Sequence, residues 1–151
     1  MPAPAPQNVF PLLAHDYGSA LVPHACVYEL LPRQDRGAAG HREAANALVF
    51  IGGLGDGPHT VPAIRAVAAR LHEGPDGSDG SSDCWSVFEV RLNSSFGQWG
   101  FASLRDDVRE VGEVVSYLRD GLGKKRVVLM GHSTGCQVMN FLLSIVGGDG
   151  G

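Results

Sequence analysis

The chain has 151 residues, 44% of them apolar, with 12 Lys+Arg against 16 Asp+Glu and a formal net charge of −4. That is chain and apolar content for one buried core, and too little positive charge for a nucleic-acid or anionic-membrane surface. Cys26, Cys84 and Cys136 are odd in number and lack CxxC spacing, which argues against a disulfide framework or a zinc site.

The opening MPAPAPQNVFPLL has no basic segment, and Pro2, Pro4, Pro6 and Pro11 interrupt its apolar residues, so no targeting sequence is expected. No apolar stretch approaches the roughly 20 residues of a membrane span; a soluble, cytoplasmic protein is the expectation. Residues 1–45 read as N-terminal strands and loops, with one short strand over 27–31 ended by Pro32. Residues 47–51, ALVFI, are a continuous apolar run stopped by Gly52-Gly53, the pattern of a strand buried on both faces. After the loop GGLGDGPH, Thr60 is placed to cap a helix bearing Val61, Ile64, Val67, Ala68 and Leu71 on one side. Residues 74–83, GPDGSDGSSD, form a flexible loop.

Residues 85–92 alternate like a strand, and the loop NSSFGQWG follows. Ser103 and Asp106 have the spacing of a capping box, and Leu104, Val108, Val111, Val115 and Leu118 recur at helical intervals until Gly121 and Gly123. Asp106 and Asp107 then sit in a first helical turn, where the dipole favours carboxylates. Residues 126–130 are the next apolar strand, residues 134–146 an apolar helix, and 147–151 a disordered tail. Strand and helix alternate from residue 46 to 147, which predicts an α/β fold with a parallel sheet between two helical layers.

Gly131-His132-Ser133-Thr134-Gly135 is a G-x-S-x-G motif lying directly between a buried strand and an apolar helix, the setting that a nucleophile elbow requires. At such a turn the serine backbone is strained and its neighbours must be small, so Gly131 and Gly135 are the elbow glycines. Ser133 is then the nucleophile, and the Thr134 N–H at the helix start is one oxyanion donor. FIGGLGDG follows the earlier strand and is placed to give the second, through the Leu54 N–H. Phe96 and Trp99 lie past a strand's carboxyl end, where such sheets bind ligands; they line an acyl pocket or form a local hydrophobic plug. Asp56 holds a cationic substrate group or caps its turn. Cys136 reads as a small buried filler, and His132 as a packing or hydrogen-bonding residue directed away from the serine hydroxyl.

FIGGLGDG, RLNSSFGQWGFASLRDD and VVLMGHSTGCQ, in this order, resemble the N-terminal half of an α/β-hydrolase. More narrowly they resemble a fungal, mostly uncharacterised family of such enzymes that includes siderophore esterases. The resemblance implies a three-layer α/β-hydrolase fold of which residues 1–151 are an incomplete domain. It also implies hydrolysis of a small ester-type substrate by Ser133, with no metal or organic cofactor. In that fold the triad runs serine, acid, histidine along the chain. All six histidines lie at or before residue 132, and Asp149 is the one acid after Ser133. The expectation is therefore an inactive N-terminal fragment of a serine hydrolase. The alternative is a non-catalytic binding or interaction module with the same fold.

Overall fold

The computed structural model describes residues 11–23, 25–31, 44–73 and 84–147, apart from the side chains of 97–99. The loop at 74–83 and the tail at 148–151 lie outside the described residues, as do His24 and His41. Among the described residues five strands form one sheet in the order β1-β2-β4-β3-β5: β1 (Leu12–Asp16), β2 (Cys26–Leu30), β3 (Asn46–Ile51), β4 (Trp85–Val90) and β5 (Arg126–Gly131). The portion from residue 46 onward is parallel, as its strand–helix alternation predicts. The sheet as a whole is mixed, because β1 and β2 form an antiparallel pair and β2 runs antiparallel to β4. Strand β1 leaves no legible trace in the sequence: LLAHD has no alternation, and its fractional burial comes from pairing with β2.

All six residues of β3 are buried, which is why the run reads as continuously apolar. Strand β4 is likewise buried on both faces after Trp85, so its polar Ser86 and Glu89 face the interior. At the sheet margin β5 alternates between exposed and half-buried residues.

The chain passes from β3 through α1 (Ala63–Glu73) to β4 on one side, then through α2 (Leu104–Ser116) past β3 to β5 on the other. Right-handed crossovers taken in opposite directions put their helices on opposite faces. Accordingly Ile64 and Ala68 of α1 pack with Leu48, Phe50 and Val87 in one core. Val108, Val111 and Val114 of α2, with Val138 of α3 (Thr134–Gly147), pack against Val49, Ile51, Phe88 and Val90 in the other. These are the three layers anticipated. None of the described helices is long and apolar enough to cross a membrane.

Two helix starts were set out in advance by their capping residues, and the structure separates them. Helix α2 begins as read: Ser103 Oγ accepts the Asp106 N–H at 3.2 Å, and Asp106 Oδ2 accepts the Ser103 N–H at 3.1 Å. Replacing Ser103 with alanine is expected to cost about 1 kcal/mol, seen as a lower urea midpoint at unchanged slope. Helix α1 does not start at Thr60. That residue closes a turn instead, its Oγ1 donating to the Gly57 carbonyl at 2.7 Å and accepting the Gly57 N–H at 3.0 Å, and the helix starts at Ala63 after Pro62. Leu104 also departs from the expected stripe, being 40% exposed at the first position of α2. Tyr117–Gly121 continue α2 as a π-helical turn, ending near the glycines that mark its stop.

Candidate active site

Neighbouring parallel strands β3 and β5 send their connections to opposite faces of the sheet, β3 toward α1 and β5 toward α3. The crevice opened between two such loops is where sheets of this kind hold ligands. Ser133 stands at its edge. Strand β5 ends at Gly131, the His132 N–H still donates to the Ile51 carbonyl at 3.0 Å, and Ser133 turns the chain with φ of +54°. A left-handed backbone at a serine is strained and persists only where its surroundings dictate it. Bonds from Gly135 N–H to the His132 carbonyl (2.9 Å) and from Cys136 N–H to the Ser133 carbonyl (3.0 Å) then open α3.

The two elbow glycines are demanded by contact. A Cβ on Gly131 would stand 2.7 Å from the carbonyl carbon of Gly135 and from Met139 Sδ, and one on Gly135 would stand 2.2 Å from the Ile51 oxygen. The start of α3 therefore rests directly on the end of β3. On the facing loop, a Cβ on Gly53 would lie 2.9 Å from Ser133 Cβ and 3.4 Å from Ser133 Oγ. The side chain of Ser133 is solvent-exposed, and its Oγ has no hydrogen-bond partner among the described residues.

Backbone donors at the crevice are sorted by the turn 53–56. Asp56 Oδ2 accepts the Gly53 N–H at 2.7 Å, and the Asp56 N–H returns to the Gly53 carbonyl at 3.0 Å. Among the described residues no hydrogen bond is formed by the Leu54 N–H, whose side chain is 58% exposed, nor by the Thr134 N–H in the first turn of α3. Asp56 also accepts from Thr60 Oγ1 at 3.2 Å and faces His132 Nδ1 at 3.4 Å. The Gly53 N–H, above all, holds its carboxyl below the usual carboxylate range, helped by Thr60 and His132. Phe96, with φ of +58°, lays its ring over Gly57, where a Cβ would fall 1.9 Å from Cζ, and Arg91 lies 5.8 Å from the ring centroid. Trp99 falls on the 3-10 segment Ser95–Gly100, and its side chain lies outside the described residues.

Three other side chains complete the picture. His132 is turned to Asp56 and is 56% exposed. His59, in the left-handed region with φ of +67°, gives its N–H to buried Glu89 at 3.0 Å and so belongs to the β4 side of the loop. Cys136 is exposed rather than buried, because the sharp elbow rolls it outward, and its Sγ reaches the Gly131 carbonyl at 3.3 Å.

Below the elbow lies a small cavity of about 20 Å³, bounded by Gly52, Gly53, Ser95, Asp107, Thr134 and Val138. That volume holds about one water. Asp107 is 6% exposed; Ser94 Oγ donates to its Oδ2 at 2.8 Å, while its Oδ1 has no hydrogen-bond partner among the described residues. Burial pushes its carboxyl up. One turn on, Glu110 is 1% exposed and accepts the Asn93 N–H at 2.9 Å. Burial, reinforced by the charges of Asp107 and Glu113, pushes it to about 7. Helix-dipole reasoning accounts for Asp107 as a surface residue and misses this. The signal was in the spacing, since 107, 110, 111, 114 and 118 fall on a single helical face.

With this geometry in hand, similarity to known proteins becomes interpretable. The family model described as "Protein of unknown function (DUF1749)" matches residues 14–147. The chain belongs to the DUF1749 family. This DUF1749 chain is 34% identical over 151 residues to an esterase of Emericella nidulans, covering 95% of this chain and 35% of that protein. It is 33% identical over 107 residues to the fusarinine C esterase of Aspergillus fumigatus, covering 66% of this chain and 28% of the other. The siderophore hydrolase EstB from Aspergillus fumigatus superposes with a TM-score of 0.69 at 27% identity, over 93% of this chain and 38% of EstB. Est1E from Butyrivibrio proteoclasticus, with ferulic acid bound, shares the fold at a TM-score of 0.60 and 14% identity, over 90% of this chain and 48% of Est1E. The fold of this DUF1749 member is thus the α/β-hydrolase fold, and the match lies in the N-terminal part of its relatives. The chain spans about a third of the length of the curated relatives it matches.

Proposed function

We propose that this chain carries the nucleophile and oxyanion donors of a serine ester hydrolase. The observation that carries the reading is Ser133 itself: a strained, exposed serine at the switch point of the sheet, beside the Leu54 N–H of the facing loop and the Thr134 N–H at the start of α3, neither of them hydrogen-bonded among the described residues. Ser133 Oγ attacks the ester carbonyl, and the Leu54 and Thr134 N–H groups receive the oxygen as it becomes negative. Such donors act because they are fixed before charge develops and need no reorganisation. The tetrahedral intermediate collapses as the ester C–O bond breaks and the alcohol leaves with the proton taken from Ser133; water then attacks the acyl-enzyme, freeing the acid and restoring the serine hydroxyl.

A serine hydroxyl needs a base, and none of the four described histidines bonds to Ser133 Oγ: His15 is paired with Glu29 at 2.9 Å, His59 adjoins Glu89, His72 lies in the last turn of α1 and His132 faces Asp56. The proton acceptor in this proposal is a histidine, oriented by an acid, that the described residues do not supply; without it these residues do not turn over substrate. One relative named a siderophore hydrolase and another named a fusarinine C esterase support a siderophore-type ester as the substrate class. The unmet base also favours one second reading, a non-catalytic binding module on the same fold.

Treating the protein expressed from its whole gene, the form that would carry the proposed histidine, with a fluorophosphonate decides between them. The expected adduct is on the peptide containing Ser133 and is absent from Ser133→Ala. Equal labelling of parent and variant would overturn the assignment, and a folded parent that takes no label would favour the binding module.

A further inference from the structure

Asp56 lies closer to the nucleophile than a residue that merely closes a surface turn needs to. Its Oδ2 and the Ser133 Oγ both face the same small volume at Gly53, 3.1 Å and 3.4 Å from where a Cβ would be. A fixed negative charge there opposes the charge that forms on a substrate oxygen, so electrostatic attraction is not what the site gains from it. What it gains is geometric. Asp56 takes the Gly53 N–H (2.7 Å), is steadied by Thr60 Oγ1 (3.2 Å), and reaches across the crevice to His132 Nδ1 (3.4 Å), the residue before the nucleophile. One carboxylate therefore ties the β3 loop to the elbow, the two segments that must keep register.

We propose that Asp56 is a positioning residue: by occupying the Gly53 amide and bridging to His132, it selects the Leu54 N–H as the loop's oxyanion donor and sets its distance from Ser133. The inference rests on the serine-hydrolase reading for its catalytic meaning, though the clamp itself does not depend on it. The proposal separates acceptor geometry from charge. Asparagine keeps an oxygen for the Gly53 N–H and drops the charge, whereas alanine loses both.

The test compares Asp56→Asn and Asp56→Ala with the parent in the full chain, by the rate of Ser133 phosphonylation and by amide hydrogen exchange at Gly53 and Leu54. Asp56→Ala is expected to label roughly tenfold to hundredfold more slowly, as misplacing a reacting group by about 1 Å does. Its Gly53 amide should exchange about tenfold faster, since a local opening then replaces a closed bond. Asp56→Asn should rescue both, labelling within about threefold of the parent, the spread expected once the donor geometry is restored. If Asp56→Asn loses as much labelling as Asp56→Ala, the charge matters in itself and the clamp is wrong. If labelling and Gly53 exchange are unchanged in Asp56→Ala, it is wrong as well. A parent that never labels refutes the hydrolase reading alone, and the exchange arm still decides on the clamp. Should the alanine variant fail to fold, Asp56→Ser, with its shorter side chain, takes its place.

Discussion

Replacing Gly135 with alanine is expected to dismantle the elbow, with a loss on the order of 3 kcal/mol or more in unfolding free energy, the range of forced overpacking against backbone. The added Cβ would lie 2.2 Å from the Ile51 oxygen and 2.7 Å from the Gly52 oxygen. Carbon and carbonyl oxygen normally approach to about 3.3 Å, so the start of α3 has to retreat by about 1 Å. Neither obstacle is a flexible side chain. The retreat pulls the Thr134 N–H and the Ser133 hydroxyl away from the β3 loop together, so fluorophosphonate labelling is expected to disappear along with the stability. Gly112→Ala is the matched control: it lies inside α2 and a Cβ there meets nothing within 4 Å. That change is expected to stabilise by about 0.5–1 kcal/mol through helix propensity. Urea titration of the two variants reads both effects, and a Gly135→Ala midpoint equal to that of the parent would refute the close-contact account of the elbow.

Mild acidification is expected to make this protein more stable. Glu110 is buried and its carboxyl is pushed from 4.5 to about 7, with burial the leading cause. Asp107 and Glu89, both buried, are shifted upward for the same leading reason. A raised folded-state pKa means that the folded chain holds its proton more tightly than the unfolded chain. The associated stability is then fully present below the unfolded value of 4.5 and is lost as pH rises toward about 7. For Glu110 the difference is on the order of 2–3 kcal/mol. The melting temperature at pH 5 should exceed that at pH 7.5, and Glu110→Gln should remove most of the slope by raising the value at pH 7.5. Gln can still accept the Asn93 N–H that now reaches the carboxylate at 2.9 Å. A slope unaltered in Glu110→Gln would mean that Glu110 is not its source.

Much of this architecture is legible in the amino-acid sequence because single physical causes dominate there. The run 47–51 is apolar throughout because β3 has strands on both sides and helical layers on both faces. G-x-S-x-G between strand and helix is legible because a Cβ at either glycine would strike backbone. Where two causes compete, reading the sequence fails. Thr60 has the composition of a helix cap, yet its hydroxyl is held in the Gly57 turn. Asp107 satisfies dipole logic and is also part of the buried face of α2. Strand β1 depends on pairing with residues that follow it by ten to eighteen positions, from Asp16 with Cys26 to Leu12 with Leu30, which no local pattern records. The role of Asp56 required knowing that His132, 76 residues later, lies beside it.

Strand β5 has a consequence for the order in which the molecule is assembled. Among the described residues it pairs with β3 alone, and its first partners, Asn46 and Arg126, enclose the whole of α1, β4 and α2 between them. Closing so long a loop costs chain entropy before any contact compensates for it. Docking of β5 is therefore expected to come late in folding and its release early in unfolding, through a partial opening that leaves the β3–β4 pair intact. The left-handed Ser133 (φ +54°) directly follows the His132 N–H bond to the Ile51 carbonyl, so its strained backbone is expected to depend on β5 being seated. Ser133, the proposed nucleophile, should then report the last native contact: its fluorophosphonate labelling is expected to vanish at denaturant concentrations where most of the sheet still protects its amides from exchange.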